Sequence, residues 1–211
     1  MVAPDIHDSK AKLIEAAFNV VRAKGFTAKR VEDICEAAGL TKGSFFHHFK
    51  CKEDLALAAA AAWGVNAQAL FAAAPYMALP DPRERLLGYV DYRKVLLKGE
   101  LPDYSCFAGT TIQEVFQTHP GISEAAAKTI IDHIDVLETD IAEAMRVYEV
   151  AGKFSPRSLA RYMQAVLQGA FILAKAEGSR AVAAESLDRL RRYIELLFVT
   201  RKVGAKRAKA R

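Results

Sequence analysis

The short segment of residues 42–48, KGSFFHH, places a lysine, a serine and two adjacent histidines around a glycine. These side chains can donate to phosphate oxygens and to the edges of bases, and the major groove of DNA admits a small, polar, basic helix face. The chemistry that these residue types suggest is therefore non-covalent binding of a polyanion. For His47 and His48, a role as exposed polar residues is the alternative to such a contact.

Two short helical patterns that pivot on a glycine must position these side chains. Gly39 follows the first pattern, where a helix C-terminus tolerates a left-handed residue, and Thr41 is a good N-cap for the second. Residues 31–49 therefore have the organisation of a helix-turn-helix. The apolar residues of the first half share one helical face: Val31, Ile34, Cys35 and Ala38.

A third helix precedes this pair, ends at Gly25 and can complete a small core. After it, Thr27, Lys29 and Arg30 come at the start of the next helix. Free backbone N–H groups, the helix dipole and cationic side chains all favour a phosphate there. The apolar set of the first helix is Leu13, Ile14, Ala17, Phe18 and Val21; it is expected to pack on Phe26, Val31, Ile34, Leu40, Phe45 and Phe49.

Composition sets the fold class and limits the partners. The 211 residues are 52% hydrophobic, rich in alanine and free of long β-branched runs, which predicts an all-α protein with two helical domains. The net charge of +5 is moderate, and lysines and arginines concentrate in residues 1–52 and 201–211. For the second group, a disordered terminus is the alternative to phosphate contact. No apolar run reaches the roughly 18 residues that span a bilayer, and no signal peptide is present, so a cytoplasmic location without a membrane is expected.

Residues 13–55 resemble the N-terminal domain of TetR-family transcriptional regulators. The matching features are the G-F after the first helix, the A-A-G-L-T-K-G turn and the H-F-x-x-K-E-D-L passage into a fourth helix. Two residues depart from the pattern. Phe46 stands where the family usually has a tyrosine that hydrogen-bonds a phosphate, and Cys51 stands where serine is common.

The resemblance implies a three-helix helix-turn-helix domain in residues 1–51, a helical bundle for ligand binding and dimerisation in residues 52–202, and a basic flexible tail in residues 203–211. It also implies that Thr41 and Lys50 lie near the DNA backbone and that Lys52 lies at the N-terminus of the next helix. The residues implied to face the operator are Lys42, Gly43, Ser44, Phe46, His47 and His48.

An alanine-rich helix from about Lys52 to before Pro75 forms a connecting rod between the two domains. A proline-containing loop, residues 75–82, should follow it. Periodicity then predicts helices over about residues 82–98, 106–119, 122–152, 155–177 and 179–200, with breaks at residues 99–103 and 120–121.

Aromatic and polar residues of this second domain are candidates for a ligand cavity, because an apolar site with a few polar tips suits a small molecule. Plain core packing is the alternative for each of them. The candidates are Trp63, Phe71, Tyr89, Tyr92, Cys106, Phe107, Phe116, His133 and Leu137.

The last two predicted helices resemble the four-helix dimer interface of TetR-type regulators. An ordinary intramolecular hairpin is the alternative, but a groove-reading domain needs two half-sites about one helical turn, or a multiple of it, apart. The residues proposed for contact with a twofold mate are Ala165, Gly169, Leu187, Leu190, Ile194 and Leu197.

Cys106 comes at a predicted helix start, where the pKa of a thiol can be lowered, and its position resembles that of regulators that answer reactive compounds. A small buried hydrophobe is the alternative. An enzyme that combines Cys106 with His119 or His133 is a weaker hypothesis, because no third orienting residue, phosphate loop or metal cluster is recognisable. The three cysteines have no metal-binding spacing, so neither a metal nor a cofactor is expected.

The leading interpretation is a homodimeric repressor, released from a palindromic operator in double-stranded DNA by a small-molecule or reactive effector. The alternatives are an activator or a ligand-independent DNA-binding dimer. The sequence does not identify the effector, the operator or the regulated genes.

Overall fold

The computed structural model describes residues 8–150 and 154–199, and this part of the chain contains helices and no strand. A 3-10 helix, Pro75–Ala78, lies between the fourth and fifth α-helices. The α-helices are α1 Asp8–Lys24, α2 Val31–Ala38, α3 Lys42–His48, α4 Lys52–Ala72, α5 Pro82–Val95, α6 Leu101–Tyr104, α7 Phe107–Val115, α8 Pro120–Val147, α9 Pro156–Glu177 and α10 Arg180–Leu197. The all-α prediction is confirmed.

Helices α1 to α3 form the predicted head. Gly39 ends α2 in the left-handed conformation at φ 65°, and the Leu40 N–H reaches back to the Cys35 carbonyl at 2.9 Å. Thr41 caps α3, since its hydroxyl accepts the Ser44 N–H at 3.2 Å. Gly39 and Thr41, the two residues from which the turn was predicted, therefore fix its two ends.

The head shares its core with the rest of the chain. Phe45 and Phe49 are buried against α1, with ring centroids 5.7 Å apart. The same core continues into α4 and α7 through Leu55 and Phe107, and into α8 through Ile122. The head and the first part of the bundle therefore share one close-packed core.

Helix α4 corrects the expectation that no apolar segment is long enough to cross a membrane. Among the described helices it alone meets that length and composition, with a mean hydropathy of 1.5 over 18 residues. Its alanines raise the hydropathy, and they also let α1 and α8 pack closely against it. One such helix is weak evidence for a membrane segment.

A second core joins α5, α8, α9 and α10. Leu187, Leu190 and Ile194 of α10 are already buried in it within a single chain, so their predicted contact with a second subunit stays a prediction that this burial does not favour. They belong to the intramolecular face of the α9–α10 hairpin, which was the alternative. Leu197 is half-buried and packs against the same core.

Several element boundaries also differ from prediction. The 3-10 helix occupies the predicted loop, and α6 occupies the predicted break at residues 99–103. Pro120 and Gly121 begin α8 rather than interrupt it, because proline fits the first helical turn, where its missing N–H is not needed. The predicted basic tail, residues 203–211, lies outside the described residues.

Candidate nucleic-acid interface and bundle cavity

Helix α3 presents one face to solvent and buries the other. Phe46 is 57% exposed, whereas its neighbour Phe45 is fully buried. A Cβ at Gly43 would meet only the Thr41 hydroxyl, at 3.6 Å, so the backbone there is open to a close approach. Lys42 and His47 are exposed on the same short helix. This face has the size and chemistry that a major groove admits.

The ammonium group of Lys42 is paired with the carboxylate of Glu32 on α2. Its hydrogen bond lowers the pKa of the exposed Glu32 carboxyl. A phosphate that binds Lys42 must replace or share this partner. The pair also links the two helices of the turn across their solvent side.

The two adjacent histidines have different surroundings. His47 is exposed, while His48 is half-buried and its Nε2 lies 2.6 Å from the Ser9 hydroxyl of α1. Their rings meet edge to face, with centroids 4.8 Å apart. His48 thus connects the C-terminal end of α3 to the start of α1, whereas His47 extends the exposed face.

Lys52 is turned towards the loop that joins α1 and α2. Its ammonium group donates to the carbonyls of Lys29 at 2.9 Å and Phe26 at 3.2 Å, and it lies 4.2 Å from the centre of the Phe26 ring. These contacts hold the loop against the first turn of α4. Lys50, by contrast, is exposed, and its backbone N–H donates to Asp54.

The residues before α2 form an exposed basic edge whose backbone donors are partly occupied. Thr27 and Arg30 are exposed, and Lys29 lies 3.9 Å from the Asp33 carboxylate. The Arg30 N–H donates to Asp33 at 2.7 Å, and this hydrogen bond lowers the pKa of the Asp33 carboxyl. The Arg30 N–H group is therefore occupied within the protein, whereas the exposed side chains of Thr27 and Arg30 face solvent.

A carboxylate from the bundle holds the same loop. Glu114 of α7 accepts the backbone N–H groups of Phe26 and Thr27, the latter at 2.7 Å. Gly25 adopts φ 79°, and a Cβ there would lie 2.9 Å from the Glu114 carboxylate. Nothing in the sequence indicates this contact, because it joins residues more than 80 positions apart.

Two further contacts fix the end of α1 to the bundle. The Lys175 ammonium of α9 donates to the Arg22 carbonyl at 3.1 Å, and the Arg22 guanidinium donates to the Asp103 carbonyl. Burial lowers the pKa of Arg22, an effect that the neighbouring Asp103 and Glu15 carboxylates oppose. The head is therefore joined to the bundle by polar contacts as well as by α4.

A cavity of about 410 Å³ lies where α1, α4, α5, α8 and α9 meet. Trp63, Phe71, Cys106 and His133 line it, as the candidate list anticipates. Glu15, Phe18 and Arg22 of α1 also line it, so the head forms part of its wall. The sequence reasoning missed this, since it assigned α1 only to the head's own core.

The other cavity candidates lie elsewhere. Tyr89, Phe107 and Leu137 are buried outside the lining, and the Tyr92 ring meets the Phe71 ring edge to face with centroids 5.9 Å apart. Phe116 follows the end of α7 at Val115, and its side chain is 64% exposed and outside the lining of this cavity.

A polar cluster stands behind one wall of the cavity. The Tyr89 hydroxyl accepts from Arg93 Nε at 2.9 Å and from Gln164 Nε2 at 3.2 Å, and it lies 3.0 Å from His133 Nε2. Arg93 Nη2 is 3.1 Å from the same histidine nitrogen. Burial, with the adjacent Arg93 charge, lowers the pKa of His133 to about 3. The histidine is therefore neutral at ordinary pH.

Cys106 is the N-cap of α7, where its sulfur accepts the Gly109 N–H at 3.3 Å. It lines the larger cavity and also a neighbouring cavity of about 350 Å³, which Glu114 and Lys175 share. The thiol is half-buried and unpaired with any other described cysteine. No group of three or more possible metal ligands occurs among the described residues.

The outer face of the α9–α10 hairpin exposes apolar side chains. Tyr162 of α9 and Tyr193 of α10 meet edge to face at 5.3 Å. On the same two helices, Leu173 of α9 and Leu196 of α10 are about half exposed. Ala165 is exposed, and a Cβ at Gly169 would meet nothing within 4 Å, so these two predicted contact residues do lie on this outer face.

Comparison with known proteins gives matches to two family models. Residues 13–59 match the model of bacterial regulatory proteins of the tetR family, and residues 82–194 match the tetracyclin repressor-like C-terminal domain. The chain is 43% identical over 51 residues to the HTH-type transcriptional regulator CymR of Pseudomonas putida, and 35% identical over 54 residues to the HTH-type transcriptional repressor KstR2 of Mycobacterium tuberculosis. These matches cover 24% and 26% of this chain, and 25% and 27% of the two relatives.

Solved structures share the fold over nearly the whole chain. A TetR-family transcriptional regulator from Cytophaga hutchinsonii superposes with a TM-score of 0.78 at 25% identity, over 93% of this chain and 100% of the other. The reduced form of E. coli NemR superposes with a TM-score of 0.79 at 20% identity, over 93% and 100%. The likeness therefore extends from the head through the bundle.

Proposed function

We propose that this chain, which belongs to the tetR family of bacterial regulatory proteins, is a cytoplasmic homodimeric repressor. Binding of an effector weakens its binding to the operator. Members of this family are transcriptional regulators, typically DNA-binding repressors. The observation that carries the proposal is a shared wall: the cavity is lined by α1 of the head as well as by helices of the bundle.

The exposed face of α3 supports the DNA-binding half of the proposal. Lys42 and His47 supply donors, Gly43 allows close approach, and Phe46 offers an apolar ring for a sugar or a thymine methyl in place of a phosphate hydrogen bond. Thr27, Lys29, Arg30 and Lys50 flank this face as phosphate contacts. Lys52 and His48 act mainly by holding the loop and α3 in place, since both make contacts within the head.

Dimerisation is supported by the exposed apolar face of α9 and α10. Tyr162, Leu173, Tyr193 and Leu196 offer the contacts, with Ala165 and Gly169 allowing close approach of a second copy. A palindromic operator follows from this twofold arrangement, with half-sites about one helical turn, or a multiple of it, apart.

Release from DNA follows from the position of the cavity. An effector in the cavity contacts α1 and α4, so it favours the arrangement of the head to which the effector binds more tightly. It weakens operator binding only if that arrangement differs from the one that binds DNA, by the difference between its affinities for the two arrangements. The Glu114 contacts to the Phe26 and Thr27 N–H groups make the loop before α2 follow α7.

The test is a gel shift with a duplex selected from random DNA, repeated with candidate effectors. The proposal expects a sharp specific complex that bound effector dissociates. Operator binding that no cavity-binding compound alters would leave a ligand-independent DNA-binding dimer, and transcription that rises with binding would indicate an activator.

A reactive effector is a second candidate, favoured by the half-buried Cys106 thiol at the junction of two cavities. If every tested electrophile and oxidant releases Cys106→Ser from DNA as well as it releases the unaltered protein, this candidate is excluded.

A further inference from the structure

The guanidinium of Arg93 lines the larger cavity without a carboxylate partner. Among the described residues, no carboxylate oxygen lies within 4.0 Å of it. Other half-buried arginines of the bundle differ in this respect. Their pairs are Arg85 with Asp140 at 3.0 Å, Arg157 with Asp135 at 2.7 Å, and Arg191 with Asp91 at 2.9 Å. A half-buried cation without a counter-ion is unfavourable, so its persistence at a cavity wall points to a ligand.

The groups around Arg93 are neutral. The Tyr89 hydroxyl accepts from Arg93 and from Gln164, so its own proton is directed to His133 Nε2. That nitrogen is then an acceptor, which is the neutral form of the ring and agrees with its lowered pKa. The cluster as a whole carries one positive charge. Arg22, at the other end of the cavity, differs because Asp103 and Glu15 lie near it.

The geometry of Arg93 leaves a fork of donors for a ligand. Its Nε and one N–H of Nη2 are used within the cluster. Both N–H groups of Nη1 and the second of Nη2 remain, and two parallel N–H groups match the two oxygens of a carboxylate. The Phe71 ring packs 4.1 Å from the guanidinium carbon and fixes its plane.

The rest of the lining combines aromatic and aliphatic side chains with polar ones, and its two carboxylates, Glu15 and Asp103, lie near Arg22. Trp63, Phe18 and Phe171 bring rings to the cavity, and Leu70 and Ile130 add aliphatic surface. A cavity of about 410 Å³ falls in the size range of sites for small organic molecules. A ligand that fits both features has one anionic end and a ring or fused-ring body.

We propose that the cavity binds a monoanionic aromatic carboxylate, with the carboxylate on Arg93 and the ring system against the Trp63 and Phe171 walls. The inference rests on the proposed function for the role of this ligand as effector. The binding itself does not depend on that role.

The test is calorimetric titration of the 211-residue chain with benzoate, naphthalene-2-carboxylate and 4-phenylbenzoate, each compared with its neutral amide. The amide keeps the shape and removes the charge, so the comparison needs no variant. At least one acid should bind roughly tenfold to a hundredfold more tightly than its amide. Arg93→Gln should abolish that preference, Arg93→Lys should retain part of it, and Arg146→Gln, an exposed arginine of α8 outside the cavity, should leave it unchanged.

Equal binding of acid and amide, a preference that survives in Arg93→Gln, or failure of every acid to bind overturns the proposal. Operator binding is measured separately without any ligand. If the operator is bound but no acid is preferred, only the ligand class is wrong; if an acid is preferred but no duplex is bound, only the regulatory function is wrong.

Discussion

The carboxylate of Glu114, a residue of the bundle, accepts the backbone N–H of Thr27, a residue of the head, at 2.7 Å. The same carboxylate accepts the Phe26 N–H. Helix α7, which begins at the cavity, is thereby tied to the loop before α2. This contact joins the cavity end of the bundle to the loop that precedes the proposed DNA-binding helices, in addition to the wall that α1 contributes to the cavity.

Glu114→Gln tests this path. An amide offers one acceptor oxygen in place of two, so one N–H loses its partner, which should lower the free energy of unfolding by about 1–3 kcal/mol. Operator affinity without effector should change little, whereas the loss of affinity caused by effector should become smaller. Glu124→Gln, an exposed glutamate of α8, is the control. An unchanged effector response in Glu114→Gln would remove this contact from the account.

Gly25→Ala is expected to destabilise the junction between α1 and α2. A side chain at φ 79° is strained by about 1–2 kcal/mol, and its Cβ would lie 2.9 Å from the Glu114 carboxylate. Urea denaturation measures the loss. Gly121→Ala, where a Cβ meets nothing within 4 Å inside the first turn of α8, is the matched control and should be neutral or slightly stabilising.

Lys42→Ala should weaken operator binding for all sequences and reduce its dependence on salt. Each lost phosphate contact lowers the log–log slope by about 0.9, and a dimer loses two such contacts. Lys128→Ala on α8 should leave the slope unchanged. Glu32→Gln should strengthen binding, because it frees the Lys42 ammonium and removes a negative charge beside the DNA. Anisotropy titrations at several salt concentrations measure both effects, and an unaltered slope in Lys42→Ala would exclude it as a phosphate contact.

Protonation of His133 should make the protein less stable in acid. Its pKa is lowered to about 3 in the folded state from an ordinary 6.5, so between those values the unfolded chain binds more protons than the folded chain. The free energy of unfolding therefore falls as the pH falls from 6.5 towards 3, by at most about 1.4 kcal/mol per pH unit from this group. His133→Gln should show a shallower decline at a fixed protomer concentration. An identical decline would mean that His133 is readily protonated in the folded protein.

Leu196→Asp should convert the proposed dimer to monomers. Leu196 is 58% exposed on the outer face of α10, and a carboxylate there cannot be buried against a second copy without a large desolvation penalty. Val95→Asp replaces an equally exposed apolar residue at the end of α5 and should remain dimeric. Sedimentation analysis distinguishes the two. A Leu196→Asp protein that remains dimeric would place the interface elsewhere.

Local features of the head were predictable from the sequence because short-range rules determine them. Gly39 and Thr41 specify the turn, and the spacing of Phe45 and Phe49 predicts the buried side of α3. Long-range contacts were not predictable in this way. Periodicity locates an apolar stripe on α10 but does not say whether Leu190 meets α5 or a second subunit, and no local signal places Glu114 beside Thr27.

The cavity shows the same limit. Aromatic and polar residues identify a region that can hold a ligand, but which of them reach it depends on helix rotation and on where each helix ends. Phe116 keeps helical dihedrals at the end of α7, but it lies on the side of the helix that faces solvent. Arg93 was not a sequence candidate, since an arginine on a helix is ordinarily an exposed charge, and its lack of a carboxylate partner becomes evident only in three dimensions.

Selection of bound duplexes from a random pool by the 211-residue chain is the most direct test of whether the exposed face of α3 reads DNA as one half of a symmetric pair. The account predicts enrichment of an inverted repeat whose half-site centres lie about one helical turn, or a multiple of it, apart. It also predicts protection of both half-sites, and loss of this protection in Leu196→Asp. Failure to enrich any sequence, or enrichment of a single asymmetric site that Leu196→Asp binds equally well, would contradict it.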